Sequence, residues 1–364
     1  MLKPAIPYTG IACAAAAALA GGGLFQLVGL PLAWMLGPAF AMMTVKTAWP
    51  QRIAWPRILG DAGVVVVAYL LGRSMTKATA VTILHDLPFM MATALLWLVL
   101  GFLVGWLFAK LARIDTVSGI LGCSPGGLTQ MVIVADSDSR ADAGTVAIVQ
   151  TCRILVVLYT VPFTAAWMAH AGTSEGAAAA GQGPAAQIAE ASLAAPSFYG
   201  YLLLPAVPLA AWLLRRMKVP AGEFLGPVLL VGVLAASGFA WPEVPELLTA
   251  AAQACIGLFI GSRVRLRILL ENKRLAPLAL AAGGFFVSLT LAAAWAISAV
   301  AEGSIITWFL ALSPGGLGEV AVTAMQLGAN DAQVTAYQVF RLLFILFLVP
   351  FLVNLTRKKW KEDL

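Results

Sequence analysis

Ser124-Pro125-Gly126-Gly127-Leu128 and Ser313-Pro314-Gly315-Gly316-Leu317 are the same pentapeptide, 189 residues apart. Working outward at that offset, Pro31 falls on Pro220, Leu36-Gly37-Pro38 on Leu225-Gly226-Pro227, Pro56 on Pro245 and Gly72 on Gly261. Past the pentapeptide the offset becomes 188, so that Gln150 and Arg153 fall on Gln338 and Arg341. The chain therefore reads as a duplicated unit. In each copy, helix-breaking residues interrupt an apolar segment, and a glutamine and an arginine follow. In a membrane protein this points to a substrate site built on broken helices.

Composition fixes the setting. The mean hydropathy is +0.90. Of the 364 residues, 61% are apolar and only 11% charged, against about 25% in soluble domains. Apolar runs of roughly 20 residues recur along the whole chain. The fold class is thus an all-α polytopic membrane protein. Its first membrane repeat is 1–170, an external linker rich in Gly, Ala and Ser is 171–196, and the second repeat is 197–364. The net charge of +6 belongs to basic residues at segment ends and is no footprint of nucleic acid. The four cysteines lie in apolar stretches without paired spacing, as small core residues do. Lys3 followed by Ile11–Ala20 imitates a signal peptide. At the duplication offset that stretch lies on an internal apolar segment, so it reads as a retained first helix.

Six apolar segments per half are expected: 9–28, 31–45, 58–72, 87–109, 117–135 and 143–169, then 198–214, 222–239, 247–262, 275–300, 305–326 and 332–355. Basic residues follow the first, third and sixth segments of the second half, at Arg215–Lys218, Arg263–Arg274 and Arg357–Lys361. Acidic residues (Glu243, Glu246, Glu302) mark its other links. If basic links are cytoplasmic, one late segment must fail to cross. The fifth is the natural one, because Pro removes a donor and Gly frees the backbone at its middle. A re-entrant or broken helix there leaves five crossings, an odd number, and so inverts one half relative to the other. Both termini then lie in the cytoplasm, with Arg73 and Lys77 as the exceptions outside. Six full crossings with parallel repeats is the alternative.

The candidate substrate-binding residues are Ser124, Pro125, Gly126, Gly127, Thr129 and Gln130 at the first break and Ser313, Pro314, Gly315 and Gly316 at the second. Free N–H groups at the start of a half-helix, with their partial positive charge, make an anion cradle. Gln150 with Arg153, and Gln338 with Arg341, each lie three residues apart on one helical face. An amide and a guanidinium pointing one way suit a carboxylate. The competing role for each arginine is structural, against a carboxylate or a helix C-terminus. Glu319 and Asp61 are the ion-coupling candidates, for H⁺ or Na⁺, Asp61 also suiting a helix start or interface. No catalytic residue, metal ligand set or cofactor motif is evident, and His85 and His170 stand apart near segment ends.

The paired Cys123–Leu128 and Leu312–Leu317 stretches, with the doubled Leu-Gly-Pro elements, resemble the bacterial AbrB membrane-protein family across nearly the whole chain. That family is marked by an internal duplication. It is distinct from the small DNA-binding transition-state regulator of the same name. Its labels, ammonia monooxygenase and regulator, bring no binding residues with them. Monooxygenase chemistry needs a copper or iron site, and two isolated histidines do not supply one. The design is similar to secondary transporters with inverted repeats, the citrate–sodium and bile-acid/sodium groups among them. The expectation is a non-enzymatic inner-membrane transporter of a small anionic or zwitterionic solute, with the lipid bilayer, that solute and H⁺ or Na⁺ as partners. The alternative is a membrane-embedded sensor acting on gene expression through another protein. Whether copies of the chain form a homo-oligomer is left open.

Overall fold

The computed structural model describes residues 8–49, 53, 55–124, 128–171, 198–217, 219, 221–264, 266–301 and 303–362. Among these every regular element is an α-helix. The chain is an all-α polytopic membrane protein. Among the described residues five helical stretches are long and apolar enough to cross a bilayer, or six if one sharply bent pair is counted as a single span.

In the first half these helices are α1 (Tyr8–Leu27), α2 (Ala33–Ala48), α3 (Arg57–Arg73), α4 (Lys77–His85), α5 (Leu87–Ala112), α6 (Thr116–Cys123), α7 (Leu128–Asp136) and α8 (Ala143–Ala171). After the linker come α9 (Phe198–Leu203), α10 (Ala206–Arg216), α11 (Gly222–Ala236), α12 (Glu246–Arg263), α13 (Leu266–Glu271), α14 (Leu275–Ser298), α15 (Ile305–Leu312), α16 (Leu317–Gln326) and α17 (Asp331–Glu362). The starts of α2, α3, α4, α6 and α7 recur 189 residues later as those of α11, α12, α13, α15 and α16. The starts of α5 and α8 recur 188 residues later. One element departs from the pattern. The stretch 198–214, expected as one segment, is split into α9 and α10 at Leu204-Pro205, where proline offers no N–H to continue the ladder.

Contacts recur in the same way. A Cβ on Gly37 of α2 would stand 2.3 Å from the carbonyl oxygen of Gly21 on α1. At the equivalent Gly226 of α11 it would stand 2.5 Å from that of Ala210 on α10. Backbones that meet this closely are how small residues hold membrane helices together. The residue before α2, Leu32 (φ 50), and the residue before α11, Ala221 (φ 51), are both left-handed. That conformation costs an L-residue roughly 1–2 kcal/mol. Ala221→Gly is therefore expected to stabilise the protein by about 0.5–1 kcal/mol after the entropy lost to glycine, read as a rise in thermal unfolding midpoint in detergent.

The direction of the two halves follows from α3 and α12, equivalent elements packed on each other. Gly60 faces Phe259, and Gly63 faces Ala252, Cys255 and Ile256. As numbers rise along α3 they fall along α12, so the two helices are antiparallel. Their basic ends meet on one face. Arg215 Nη1 donates to Asp61 Oδ2 at 2.6 Å, with Arg57 Nε 3.6 Å from the same oxygen, and Lys46 Nζ donates to the carbonyl of Ser262.

α4 is short and carries no buried residue, and it turns 95° away from α3. Its start is fixed by Thr76, whose hydroxyl accepts from the N–H of Thr79 at 3.1 Å. A helix so placed lies along a membrane face rather than across it.

Candidate functional site

The second pentapeptide forms the tip of a hairpin. α15 and α16 hold 8 and 10 residues, so end to end they would extend about 27 Å at 1.5 Å per residue. The link Leu327–Asn330 that follows reaches at most about 17 Å. Yet the N–H of Asn330 donates to Thr307 Oγ1, on the first turn of α15, at 3.2 Å. α16 must therefore run back along α15, as a re-entrant loop does. The first half does the same. The N–H of Asp142, just before α8, donates to Ser118 Oγ near the start of α6 at 2.7 Å. Pro125, Gly126 and Gly127 lie outside the described residues, as do the side chains of Thr129 and Gln130.

The two hairpins enter from opposite faces. α5 spans 26 residues, about 39 Å. Asp86, just before it, accepts from the hydroxyl of Tyr337 at 3.2 Å and shares a cavity of about 180 Å³ with Thr79, Thr82, Asn330 and Gln333. That is the base of the second hairpin. At its other end Ala112 precedes α6, the start of the first hairpin, and lines a cavity of about 290 Å³ with Ile114 and Glu271–Leu275. The tips meet between. Cys123, the last residue of α6, and Leu312, the last of α15, share one apolar cluster with Val149 and Cys152 of α8. A Cβ on Gly315 would stand 3.3 Å from Val157 Cγ1 on the same helix.

Each tip is held by the glutamine and arginine of the following long helix. Gln338 Nε2 donates to the carbonyls of Leu310 (2.8 Å), Ala311 (3.3 Å) and Ser313 (2.9 Å). Arg341 donates to Leu312 O from Nη1 (2.8 Å), to Ser313 O from Nη2 (2.7 Å) and to Gln338 Oε1 (2.5 Å). In the first half Gln150 Nε2 donates to Leu121 O (2.9 Å) and Ser124 O (3.2 Å), and Arg153 Nη1 to Ser124 O (2.5 Å). A half-helix that stops inside a membrane leaves its last carbonyls without partners, and no water replaces them. Placed there, cations also meet the negative end of the helix dipole. The structural role weighed for these arginines is present, at a helix C-terminus. They sit near enough for Arg341 to feel the charge of Arg153.

The halves differ in detail. Ser124 Oγ donates to Ile120 O at 2.7 Å, whereas Ser313 Oγ is fully buried with no partner. Gln338 Oε1 is bonded to Arg341, whereas Gln150 Oε1 has no partner. Glu319 belongs to the second tip. It is the third residue of α16, and its carboxyl group lies on Gly316, where a Cβ would stand 2.0 Å from Oε2. Asp61 is elsewhere, in the ion pair with Arg215 at one membrane face. Among the described residues no three of His, Cys, Asp and Glu come together. The capping role of the Gln–Arg pairs was missed from the sequence, although the i, i+3 spacing repeated in both halves marked them as a unit.

Comparison with known proteins places the chain. It is 27% identical to "Uncharacterized protein YhjN" of Bacillus subtilis (strain 168) over 357 residues, covering 91% of this chain and 89% of that one. It is 29% identical to "Putative regulator AbrB" of Escherichia coli (strain K12) over 326 residues, covering 90% of each. Residues 34–357 match the family profile described as "Transition state regulatory protein AbrB", and that stretch holds both hairpins and both Gln–Arg pairs: the chain belongs to the AbrB family.

Proposed function

We propose that this protein is a secondary transporter of the bacterial inner membrane that carries a small anionic or zwitterionic solute, and that its two halves are inverted repeats. The observation that carries the reading is the place of Arg341. Its guanidinium is buried beside a second guanidinium, Arg153, and all its printed partners are neutral oxygens. A buried cation without a carboxylate partner is unfavourable by several kcal/mol, and a bound anion relieves it. The neighbourhood supports the same reading. Two re-entrant tips enter from opposite faces and meet near the middle, each hairpin base bordering a cavity. Half-helix ends at the midplane of inverted repeats are a recurring design for binding charged solutes.

The test is flux. Wild-type protein in proteoliposomes should exchange a labelled carboxylate or amino acid across the membrane. A broad panel of such solutes, all bound but none moved, would sink the transport reading. It would favour a sensor, the second reading, which the name of the Escherichia coli relative suggests.

A further inference from the structure

The second tip already holds an anion of its own. Glu319 is the third residue of α16, and its carboxyl group lies against Gly316, with both oxygens and Cδ within 2.9 Å of where a Cβ would be. This is the end of α16 that a solute carboxylate would approach, since free N–H groups and the positive end of the dipole are there. A second observation points to a ligand at the same place. Ser313 Oγ is fully buried, bonds to nothing, and lies 3.7 Å from the point a Cβ on Gly315 would take. A hydroxyl in that position is left over for something that sits in the tip. The equivalent of Glu319 in the first half is Gln130, a neutral amide.

We propose that Glu319 is a tethered competitor for the solute anion at the second tip, and that binding of the solute there takes up one proton at Glu319. This rests on the anion-site reading given above. Charge decides it. With Glu319 ionised, its charge offsets that of Arg341 although no ion pair joins them. A solute carboxylate then adds an uncompensated negative charge in a low-dielectric site. Protonating Glu319 moves one proton from solvent to a carboxylate oxygen, and the solute takes over as the balance for Arg341. The other groups facing Glu319 do not exchange protons near neutral pH. α17 brings Arg341, and α8 brings Arg153 and Tyr159. α3 brings Tyr69 with Asp61 and Arg73 at its two ends, and α15 carries no titratable side chain. Asp61 is held in its ion pair at the face.

Glu319→Gln isolates the charge, because glutamine at the third helical position keeps the reach back to the cap residue. The probes are acetate, succinate and glutamate, whose carboxylates stay largely ionised between about pH 6.5 and 8.5. Binding is followed by thermal stabilisation of the purified protein in detergent. Proton uptake is followed by calorimetry in buffers of different ionisation heat. For a probe that binds, wild type should bind at least about tenfold tighter at the lower pH and take up about one proton. Glu319→Gln should bind equally at both pH values, with no uptake. The same pH dependence in both proteins, or no proton taken up by wild type, overturns the proposal and leaves the anion site standing. If none of the three probes stabilises either protein at either pH, the anion site itself falls, and this inference with it.

Discussion

Replacing Arg341 by Gln is expected to lower solute affinity by a factor of a hundred or more, since a charged hydrogen bond in a buried site contributes about 3 kcal/mol. It is also expected to destabilise the fold. Arg341 donates to Leu312 O and Ser313 O, and a glutamine one bond shorter and with a single amide cannot reach both. Each buried carbonyl left unpaired costs about 1–3 kcal/mol. The sequence by itself suggests a variant that folds normally and fails only to transport. The capping bonds change that expectation: unfolding should shift as well, and the two effects need separate measurement. Arg341→Lys separates them. A lysine keeps the charge but not the forked geometry. It should restore part of the affinity and little of the stability. If Arg341→Gln binds the solute as wild type does while melting several degrees lower, Arg341 is a cap and nothing more.

The second large effect lies far from the tips. Gly37→Val should prevent accumulation of folded protein in the membrane. A Cβ there would stand 2.3 Å from the carbonyl oxygen of Gly21, well inside contact distance, and neither backbone has room to yield. Overpacking of this kind costs about 3 kcal/mol or more. Gly226→Val should behave alike, at 2.5 Å from Ala210 O. Gly23→Val serves as the control, since a Cβ there meets nothing within 4 Å. The measurement is the amount of monodisperse protein recovered after detergent extraction. Equal yields for the three variants would mean that α1 and α2 do not need this crossing.

How far the sequence could be read depended on whether the signal was local. Ser-Pro-Gly-Gly shows a helix stopping within an apolar stretch whatever surrounds it, and twofold repetition of the motif shows that the stop is meant. The link Leu327–Asn330 also carries the information that the chain turns back, once its length is set against α15 and α16. The short helix α4 was not legible. Ser74-Met75-Thr76 holds neither Pro nor Gly, so nothing in it announces a right-angle turn. The same is true of what Gln150, Arg153, Gln338 and Arg341 touch. Their partners are backbone carbonyls 25–29 residues away, except within the Gln338–Arg341 pair. A backbone carbonyl has no sequence identity, so no residue pattern could name it. The split of α9 from α10 was legible at Pro205 and was passed over because Ala16, its equivalent, permits a continuous helix.

Two helix ends of opposite polarity face each other across Pro314-Gly315. The molecule treats them unequally. Three amide and guanidinium groups are spent on quieting the carbonyl side, while the amide side is met only by one movable carboxylate on a rotatable stem. The potential around that bend is therefore lopsided by construction, and its sign can be altered by turning a single side chain rather than by rearranging a helix.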